Sequence, residues 1–279
     1  MILIKWKLQW ALEMERIEKC VIPAAVLEKR FYPLTRAKPK KMLLMLGKPV
    51  FHYVVEEAVN SGLDEILLVV GAGKDSIINY FNKHALDKTM DAYGFRDLQG
   101  MYFVRQKEQR GFADAIKYAQ KFTRDENFVV LLEDTLYRSS DNRTVTSQIV
   151  EEYSKVRSPV LAVEKVPKEK VVESGLVDPA AQHNSLFKIR GVVEKPEISQ
   201  TPSDFGITGI YVFRPEIYNY VSAVSPGRNN ELQLSDAINI MANERDVFGY
   251  IINGRRYDIG TKEVWYRTSI EFSKNDMAE

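Results

Sequence analysis

Short apolar runs alternate with amphipathic helical patterns through the first half of the chain, and this alternation limits the fold more than any other feature. The apolar runs span residues 20–25, 66–70, 101–104 and 127–132, and the helical patterns span residues 49–60, 74–82 and 111–122. Strands that are apolar along their whole length are buried on both faces. Their alternation with helices predicts a parallel sheet that is covered by helices on both sides.

In sheets of this kind, ligands bind beyond the carboxyl ends of the strands. The loops that follow Ala25, Val70, Val104 and Leu132 are therefore where chemistry is expected. Because all four loops would leave the same edge of the sheet, residues far apart in sequence would meet there.

The second half of the chain mixes strands and helices in a different order. Strands are predicted at residues 159–164, 186–194 and 205–213, and helices at residues 144–155, 215–221, 232–243 and 264–272. Pro215 suits the first position of its helix, where the missing amide hydrogen costs nothing. Asn253 and Gly254 form the strongest short hairpin signal, so residues 247–252 are predicted to pair with residues 255–259. The two halves are expected to share one sheet.

Composition argues against several classes of protein. The 279 residues carry a formal net charge of +1, whereas a dedicated nucleic-acid binder would show a clear basic excess, so no nucleic-acid partner is expected. No apolar run approaches the roughly 18 residues of a membrane span, so no membrane partner is expected. The single cysteine, Cys20, is predicted to be buried, and its lack of a disulfide partner indicates a reducing, cytoplasmic compartment. His52, His84 and His183 are predicted to be surface or helix residues rather than ligands or bases.

The first residues form a separate feature. Apolar and polar residues alternate over residues 4–13, which is typical of a half-buried strand that could pair with an edge strand or a second subunit. The alternative is that the natural start is Met14, which is followed by an ordinary polar beginning. Residues 1–17 are therefore interpreted as an extension, and residues 18–274 as a single domain whose two halves meet near residue 140.

The first predicted loop is rich in positive charge. Its cations, all within thirteen residues, are Lys29, Arg30, Arg36, Lys38, Lys40 and Lys41. Such a cluster at the carboxyl edge of a parallel sheet suits a polyphosphate. On charge alone, a solvated basic loop is an equally good interpretation.

Sequence motifs distinguish between these two interpretations of the basic loop. The first loop contains Ala24, Ala25, Leu27, Arg30, Phe31, Pro33, Thr35, Pro39, Lys40, Met42 and Leu43, and residues 104–111, 175–177, 193–196, 231–237 and 256–260 follow in order. These residues resemble the motifs of the bacterial and archaeal UDP-glucose pyrophosphorylases, the UTP:glucose-1-phosphate uridylyltransferases. The resemblance extends over about residues 18–274.

The resemblance implies a Rossmann-like α/β fold with a mixed, mainly parallel sheet, as in the nucleotidyltransferase or nucleotide-diphospho-sugar transferase fold. It implies that UTP and glucose 1-phosphate react to give UDP-glucose and pyrophosphate, with Mg²⁺ as cofactor. The implied partners are these small molecules and either further copies of the chain, as a homo-oligomer, or an active paralogue.

The resemblance also implies roles for individual residues in the nucleotide half. Ala24 and Ala25 would belong to the loop that wraps the nucleotide. Gln106 would read the uracil edge, with the backbone of Gly111 beside it.

Catalytic, metal and sugar roles follow in the same way. Arg30 would hold the departing pyrophosphate, and Lys40 would stabilise charge on the phosphorus under attack. Asp134 and Asp258 would hold Mg²⁺, which prefers oxygen ligands.

In the sugar half, the backbone at Gly175 would pass close to the sugar. Glu194 would accept hydrogen bonds from the sugar hydroxyls, and Lys195 would contact the sugar phosphate. The sugar phosphate is already a nucleophile, so in-line attack would need positioning and charge neutralisation rather than a general base.

The sequence departs from the family pattern in the nucleotide loop. Val26 and Glu28 replace two glycines, and Lys29 replaces a threonine. A carboxylate about 4 Å from a phosphate costs on the order of 4 kcal/mol at an effective dielectric near 20. Beside the base, Ala113 and Asp114 replace the usual Gly-His or similar pair, and Asp114 adds a negative charge.

Three functional hypotheses follow. The retained charged residues favour an active uridylyltransferase. The lost glycines favour a non-catalytic paralogue, a pseudoenzyme that binds a nucleotide sugar or regulates an active subunit. A third hypothesis is an active enzyme for another base or sugar, because Gln106 would accept thymine nearly as well as uracil.

Overall fold

The computed structural model of the chain describes residues 16–25, 40–71, 75–85, 100–180, 184–227 and 230–276. The alternating segment at residues 4–13 lies outside these ranges, as does His183. Within the described ranges, no helix is long and apolar enough to cross a membrane.

Nine strands form one central sheet. In chain order they are β1 Lys19–Ala24, β4 Glu65–Val70, β5 Gly100–Arg105, β6 Phe128–Leu131, β8 Val160–Lys165, β9 Gly175–Pro179, β10 Leu186–Glu194, β11 Phe205–Phe213 and β12 Val247–Ile251. Two small sheets pair β2 Leu44–Met45 with β3 Lys48–Pro49, and β7 Thr135–Ser139 with β13 Gly254–Asp258. The order across the central sheet is β5-β4-β1-β6-β11-β8-β12-β10-β9.

Most strands of the central sheet run in one direction. β1 is parallel to β4 and β6, β4 is parallel to β5, and β8 is parallel to β12. β11 is antiparallel to β6 and β8, and β10 is antiparallel to β12 and β9. Seven of the nine strands, all except β10 and β11, therefore point the same way. The predicted mixed, mainly parallel sheet that both halves share is confirmed.

The helices of the described ranges follow the predicted order. They are α1 Val50–Asn60, α2 Asp75–Ala85, α3 Phe112–Lys117, α4 Gln120–Thr123, α5 Val145–Val156, α6 Ile217–Ala223, α7 Leu234–Glu244 and α8 Lys262–Asp276. The single helix predicted over residues 111–122 is wrong, because tight turns at Tyr118 and Ala119 separate α3 from α4. The position of Pro215 is also wrong: it lies in a tight turn before α6, where Ile217 donates to the Arg214 carbonyl at 3.1 Å.

Helices cover both faces of the sheet. In β1, Cys20 and Ile22 face one apolar cluster with α1, α2, α5 and α8, whereas Val21 faces another with α3, α6 and α7. All three side chains have zero exposure, so the predicted burial of Cys20 is confirmed. Burial raises the pKa of the Cys20 thiol.

His52 lies in a helix, as predicted, but it is fully buried. Its Nδ1 lies 2.8 Å from the Tyr80 hydroxyl, and its Nε2 lies 3.1 Å from Glu56 Oε1. Burial raises the pKa of Glu56, but hydrogen bonds from His52 and Lys48 outweigh burial and keep this pKa below its ordinary value. The cluster ties α1 to α2.

The predicted hairpin at Asn253 and Gly254 is wrong. The chain bends there, but β12 pairs with β8 and β10 whereas β13 pairs with β7. A Cβ atom on Gly254 would lie 2.6 Å from the Arg138 carbonyl oxygen. The glycine is therefore required by the close approach of β7, and not by a turn that joins paired strands.

Gln148 on α5 holds this bend. Its Nε2 donates to the Asn253 carbonyl at 3.0 Å, and its Oε1 accepts from the Asn253 amide at 2.9 Å. Gln148 is 1% exposed. This buried side chain thus binds both backbone groups of Asn253, whose carbonyl also accepts from the Ser140 amide at 3.1 Å. It helps to set the path of the chain into β13.

We expect Gln148→Leu to lower the free energy of unfolding by about 1–3 kcal/mol, because it leaves the Asn253 amide without its protein partner. Gln120→Leu is the control, since Gln120 is exposed and a surface change of this kind shifts stability by about 0.5 kcal/mol or less. Urea denaturation measures both variants. Equal stability of the two variants would contradict a structural role for Gln148.

Candidate functional site

The strands of the first half end level with one another. The register pairs Ala24 with Val70 and Val70 with Arg105, so β1, β4 and β5 finish at the same edge. β6 runs parallel to β1 on its other side. The loops that carry the predicted nucleotide residues therefore leave the sheet side by side.

Ala24 and Ala25 are buried at the end of β1. The Gln109 amide nitrogen donates to the Ala25 carbonyl. Gly71 makes room for this contact, because a Cβ atom there would lie 3.0 Å from the Ala25 oxygen and 2.6 Å from Gln109 Nε2. Gln109 thus fixes the start of this loop, a role that the sequence analysis did not assign to it.

Gln106 follows β5 and is 2% exposed. Its backbone amide donates to the Val70 carbonyl at 2.9 Å. Its side-chain Nε2 donates to Asp114 Oδ2 at 2.7 Å. The carboxylate that the sequence presented only as an added negative charge is therefore a hydrogen-bond partner of the predicted base reader.

Gly111 connects this region to the second half of the chain. It precedes α3 with φ +104°, and a Cβ atom there would lie 2.6 Å from the Leu232 carbonyl oxygen. Leu232 donates to the Arg110 carbonyl at 2.7 Å, and its own carbonyl accepts from Ala113 at 3.0 Å. The motif at residues 231–237 therefore anchors the loop beside Gln106.

Lys40 and Asp134 form an ion pair at the next strand end. Lys40 Nζ lies 2.7 Å from Asp134 Oδ2, and the two side chains are 8% and 28% exposed. Lys40 lies in the 3-10 helix Lys40–Met42, whereas Asp134 lies between β6 and β7. The predicted catalytic cation and the predicted metal ligand are thus in direct contact.

Asp258 lies beside this pair at the end of β13. The register sets it opposite Thr135, and the Ile259 amide donates to the Asp134 carbonyl at 2.9 Å. The pairing of β7 with β13 therefore brings together the backbones of two aspartates that are far apart in sequence. In the described parts of the chain, no cluster of three or more His, Cys, Asp or Glu residues could hold a metal ion.

Arg256 is a charged residue whose contacts sequence reasoning did not identify. Its Nε lies 2.6 Å from Glu164 Oε1, and its Nη1 lies 3.8 Å from Asp258 Oδ2. Burial lowers the pKa of the Arg256 guanidinium, but Glu164 and Asp258 outweigh burial and raise it above its ordinary value. Arg256 therefore stays charged behind the two aspartates.

The predicted sugar residues lie together at one end of β9 and β10. Gly175 pairs with Glu194, and a Cβ atom on Gly175 would lie 3.0 Å from Glu194 Oε2. Lys195 has φ +45°, its amide donates to the Ser174 carbonyl at 3.1 Å, and its Nζ lies 3.6 Å from Glu194 Oε1.

The sheet brings this sugar group close to Arg256. β9 meets β11 at Gly206, beside the carboxyl end of β8. Burial raises the pKa of Tyr211; Glu194 raises it further, and Arg256 lowers it. Tyr211 therefore responds to the charges of both Glu194 and Arg256.

The structure describes ten of the eleven residues that the sequence singled out. They form three groups: Ala24, Ala25, Gln106 and Gly111; Lys40, Asp134 and Asp258; and Gly175, Glu194 and Lys195. The eleventh, Arg30, lies outside the described residues, as do Val26, Glu28 and Lys29.

Comparisons with known proteins agree on one family. The family model described as Nucleotidyl transferase matches residues 27–274. The chain is 37% identical over 274 residues to a UTP–glucose-1-phosphate uridylyltransferase of Staphylococcus epidermidis, with 94% of each chain covered. It is 38% identical over 272 residues to UTP–glucose-1-phosphate uridylyltransferase 1 of Staphylococcus saprophyticus, again with 94% of each chain covered.

Solved structures give the same result. A UDP-glucose pyrophosphorylase complexed with UDP-glucose is similar with a TM-score of 0.85 and 32% identity, covering 93% of this chain and 100% of that one. A UTP-bound UGPase from Acinetobacter baumannii is similar with a TM-score of 0.81 and 28% identity, covering 92% of this chain and 93% of that one.

We expect Gly111→Ala to destabilise the protein by about 2 kcal/mol more than Gly47→Ala. Both glycines have positive φ, so each substitution strains the backbone by roughly 1–2 kcal/mol. A Cβ atom on Gly47 meets nothing within 4 Å, whereas one on Gly111 meets the Leu232 backbone. Chemical denaturation measures the difference. Equal losses of stability would contradict this prediction, because they would mean that the Leu232 backbone moves away from the added Cβ atom at no measurable cost.

Proposed function

The chain belongs to the nucleotidyl transferase family, and we propose that it transfers a uridylyl group from UTP to glucose 1-phosphate, giving UDP-glucose and pyrophosphate. The order of the polar groups along the carboxyl edge carries this proposal. Gln106 lies at the end of β5 and the Lys40–Asp134 pair lies at the end of β6. The pairing of β9 with β11 at Gly206 sets Glu194 and Lys195 near the carboxyl end of β8. A base, a triphosphate and a sugar phosphate could occupy these groups in that order.

Named relatives support the choice of substrates. The two staphylococcal relatives are UTP–glucose-1-phosphate uridylyltransferases, and solved structures similar to this chain hold UDP-glucose or UTP. On this basis we propose UTP and glucose 1-phosphate as substrates. Glu194 would accept hydrogen bonds from the sugar hydroxyls, and Lys195 would pair with the sugar phosphate.

Catalysis would depend on position and charge. The phosphate of glucose 1-phosphate is already ionised, so it attacks the α-phosphorus of UTP in line without a general base. Lys40, held at the strand end by Asp134, would stabilise the negative charge that builds up on the phosphoryl oxygens. Arg30 would hold the departing pyrophosphate.

Asp134 and Asp258 fit Mg²⁺. Mg²⁺ is commonly bound by one or two carboxylates, with substrate phosphates and water as its other ligands. The two aspartates on adjoining strand ends match this donor set. Bound there, Mg²⁺ would neutralise charge on the triphosphate, while Arg256 keeps Asp258 in place.

We expect the purified protein to release pyrophosphate from UTP and glucose 1-phosphate in the presence of Mg²⁺. Asp134→Ala should lower kcat/KM by about 100-fold or more, because it removes a metal ligand and the partner of Lys40. Asp246→Ala is the control, since Asp246 is exposed and precedes β12 at the opposite edge of the sheet. A coupled pyrophosphate assay measures these rates.

Turnover that survives Asp134→Ala would contradict the metal assignment. No turnover by the wild-type protein would overturn the proposed reaction. It would then favour the non-catalytic paralogue, for which binding of UDP-glucose can be measured directly.

A second prediction separates the two halves of the site. We expect Lys195→Met to raise the KM for glucose 1-phosphate by about tenfold, because one charged contact to the sugar phosphate is lost. The KM for UTP should change less than about twofold. Lys188→Met is the control, because Lys188 lies on β10, the strand that Lys195 follows, has the same 50% side-chain exposure and pairs with Asp246. Equal effects on both substrates would place Lys195 outside the sugar-phosphate site.

A further inference from the structure

We propose that Asp114 determines the base preference of this site, because it fixes which way round the Gln106 amide faces and so selects uracil over cytosine. The inference rests on the proposed function in two respects. It takes Gln106 as the side chain that meets the base, and it takes UTP as the nucleotide.

The contact itself defines the orientation of the amide. Gln106 Nε2 lies 2.7 Å from Asp114 Oδ2. An ionised carboxylate only accepts hydrogen bonds, so the group that faces Asp114 must be the NH₂ of the amide. The opposite orientation would set the Gln106 oxygen against a carboxylate oxygen. The contact with Asp114 therefore allows only one orientation of the buried Gln106 amide.

Both residues are held from outside the contact. The Gln106 backbone donates to Val70 on the neighbouring strand, and its side chain is 2% exposed. Asp114 lies in the first turn of α3, and this turn is bound through Ala113 and Arg110 to Leu232. The backbone on both sides of the contact is therefore held in place, and the hydrogen bond to Asp114 sets the orientation of the Gln106 amide.

The fixed orientation leaves a defined surface for a ligand. One N–H of the amide is used by Asp114, and the other N–H and the Oε1 atom remain. In the part of the chain that the structure describes, no protein group donates to Oε1. A ligand that pairs with Gln106 must therefore offer one donor and one acceptor, in a set order.

Uracil and cytosine differ in this order. Uracil presents a donor at N3 beside an acceptor at O4, whereas cytosine presents an acceptor at N3 beside an amino donor at C4. A free amide turns over and suits either base. An amide that is fixed by Asp114 suits only one of the two bases in a given pose. With the other base, a donor would face a donor and an acceptor would face an acceptor.

The cost of the wrong base follows from unpaired polar groups. Leaving buried hydrogen-bonding groups unsatisfied corresponds to roughly a 10- to 100-fold loss of affinity. We therefore expect the wild-type protein to bind UTP more tightly than CTP by a factor in this range. Thymine has the same donor and acceptor order as uracil, so Asp114 provides no discrimination between these two bases.

Asp114→Asn tests the proposal with almost no change in shape. An asparagine can accept from the Gln106 nitrogen or donate to the Gln106 oxygen, so both amide orientations become available. We expect the ratio of UTP to CTP affinity to fall about tenfold, chiefly through tighter binding of CTP. Isothermal titration with each nucleotide and Mg²⁺, without sugar phosphate, measures the ratio.

Two controls separate orientation from charge and from folding. Glu108→Gln removes one negative charge from the same loop, where Glu108 is exposed and pairs with Arg110, so it should leave the ratio unchanged. In a Gln106→Ala background, Asp114→Asn should have no effect on the ratio, because Asp114 acts through Gln106. General damage to the site would weaken both nucleotides equally.

Each result has a defined meaning. Equal affinity of the wild-type protein for UTP and CTP, or no binding of either, overturns the inference. A ratio that Asp114→Asn leaves unchanged overturns it as well. Because the readout is binding, a protein that prefers UTP but releases no pyrophosphate would contradict the proposed reaction and still support the role of Asp114.

Discussion

Burial of both faces of the central sheet is the constraint on which the rest of the structure depends. Neighbouring residues in β1, such as Val21 and Ile22, face opposite sides with zero exposure, so strand surfaces have no place for a ligand. Polar groups are excluded to the strand ends, where the register makes β1, β4 and β5 finish level. Residues from distant parts of the sequence consequently share one edge.

Charge at that edge is balanced in pairs. Lys40 faces Asp134, Arg256 faces Glu164, and Lys195 lies near Glu194. Removing one member of a buried pair leaves an uncompensated charge, at a cost of several kcal/mol. Substrate phosphates can pair with the cations in place of the carboxylates. A metal ion can bind the carboxylates in place of the cations. The site is therefore preorganised for a ligand that brings both signs of charge.

Local patterns predicted the fold better than they predicted the contacts. Apolar runs gave the strands of the first half to within one or two residues, because burial on both faces needs an unbroken apolar run. The hairpin at Asn253 failed because its path depends on Gln148, 105 positions earlier in sequence. Likewise, the sequence named Gln106, Asp134 and Lys40. The contacts of Gln106 with Asp114 and of Lys40 with Asp134 became visible only in the folded chain. Contacts between residues that are far apart in sequence cannot be predicted from a short segment of the sequence.

Contacts at the sheet edge also hold the chain on both sides of the nucleotide-loop segment that contains Val26 and Glu28. Ala25, just before the substituted segment, is held by Gln109 and by the close approach of Gly71. Lys40, where the described chain resumes, is held by Asp134. Since Ala25 and Lys40 are both fixed by the sheet edge, the contacts of Gln106 with Asp114 and of Lys40 with Asp134 do not depend on the identity of Val26 or Glu28. Any loss of activity that they cause should therefore appear in triphosphate binding, with base preference and metal binding retained.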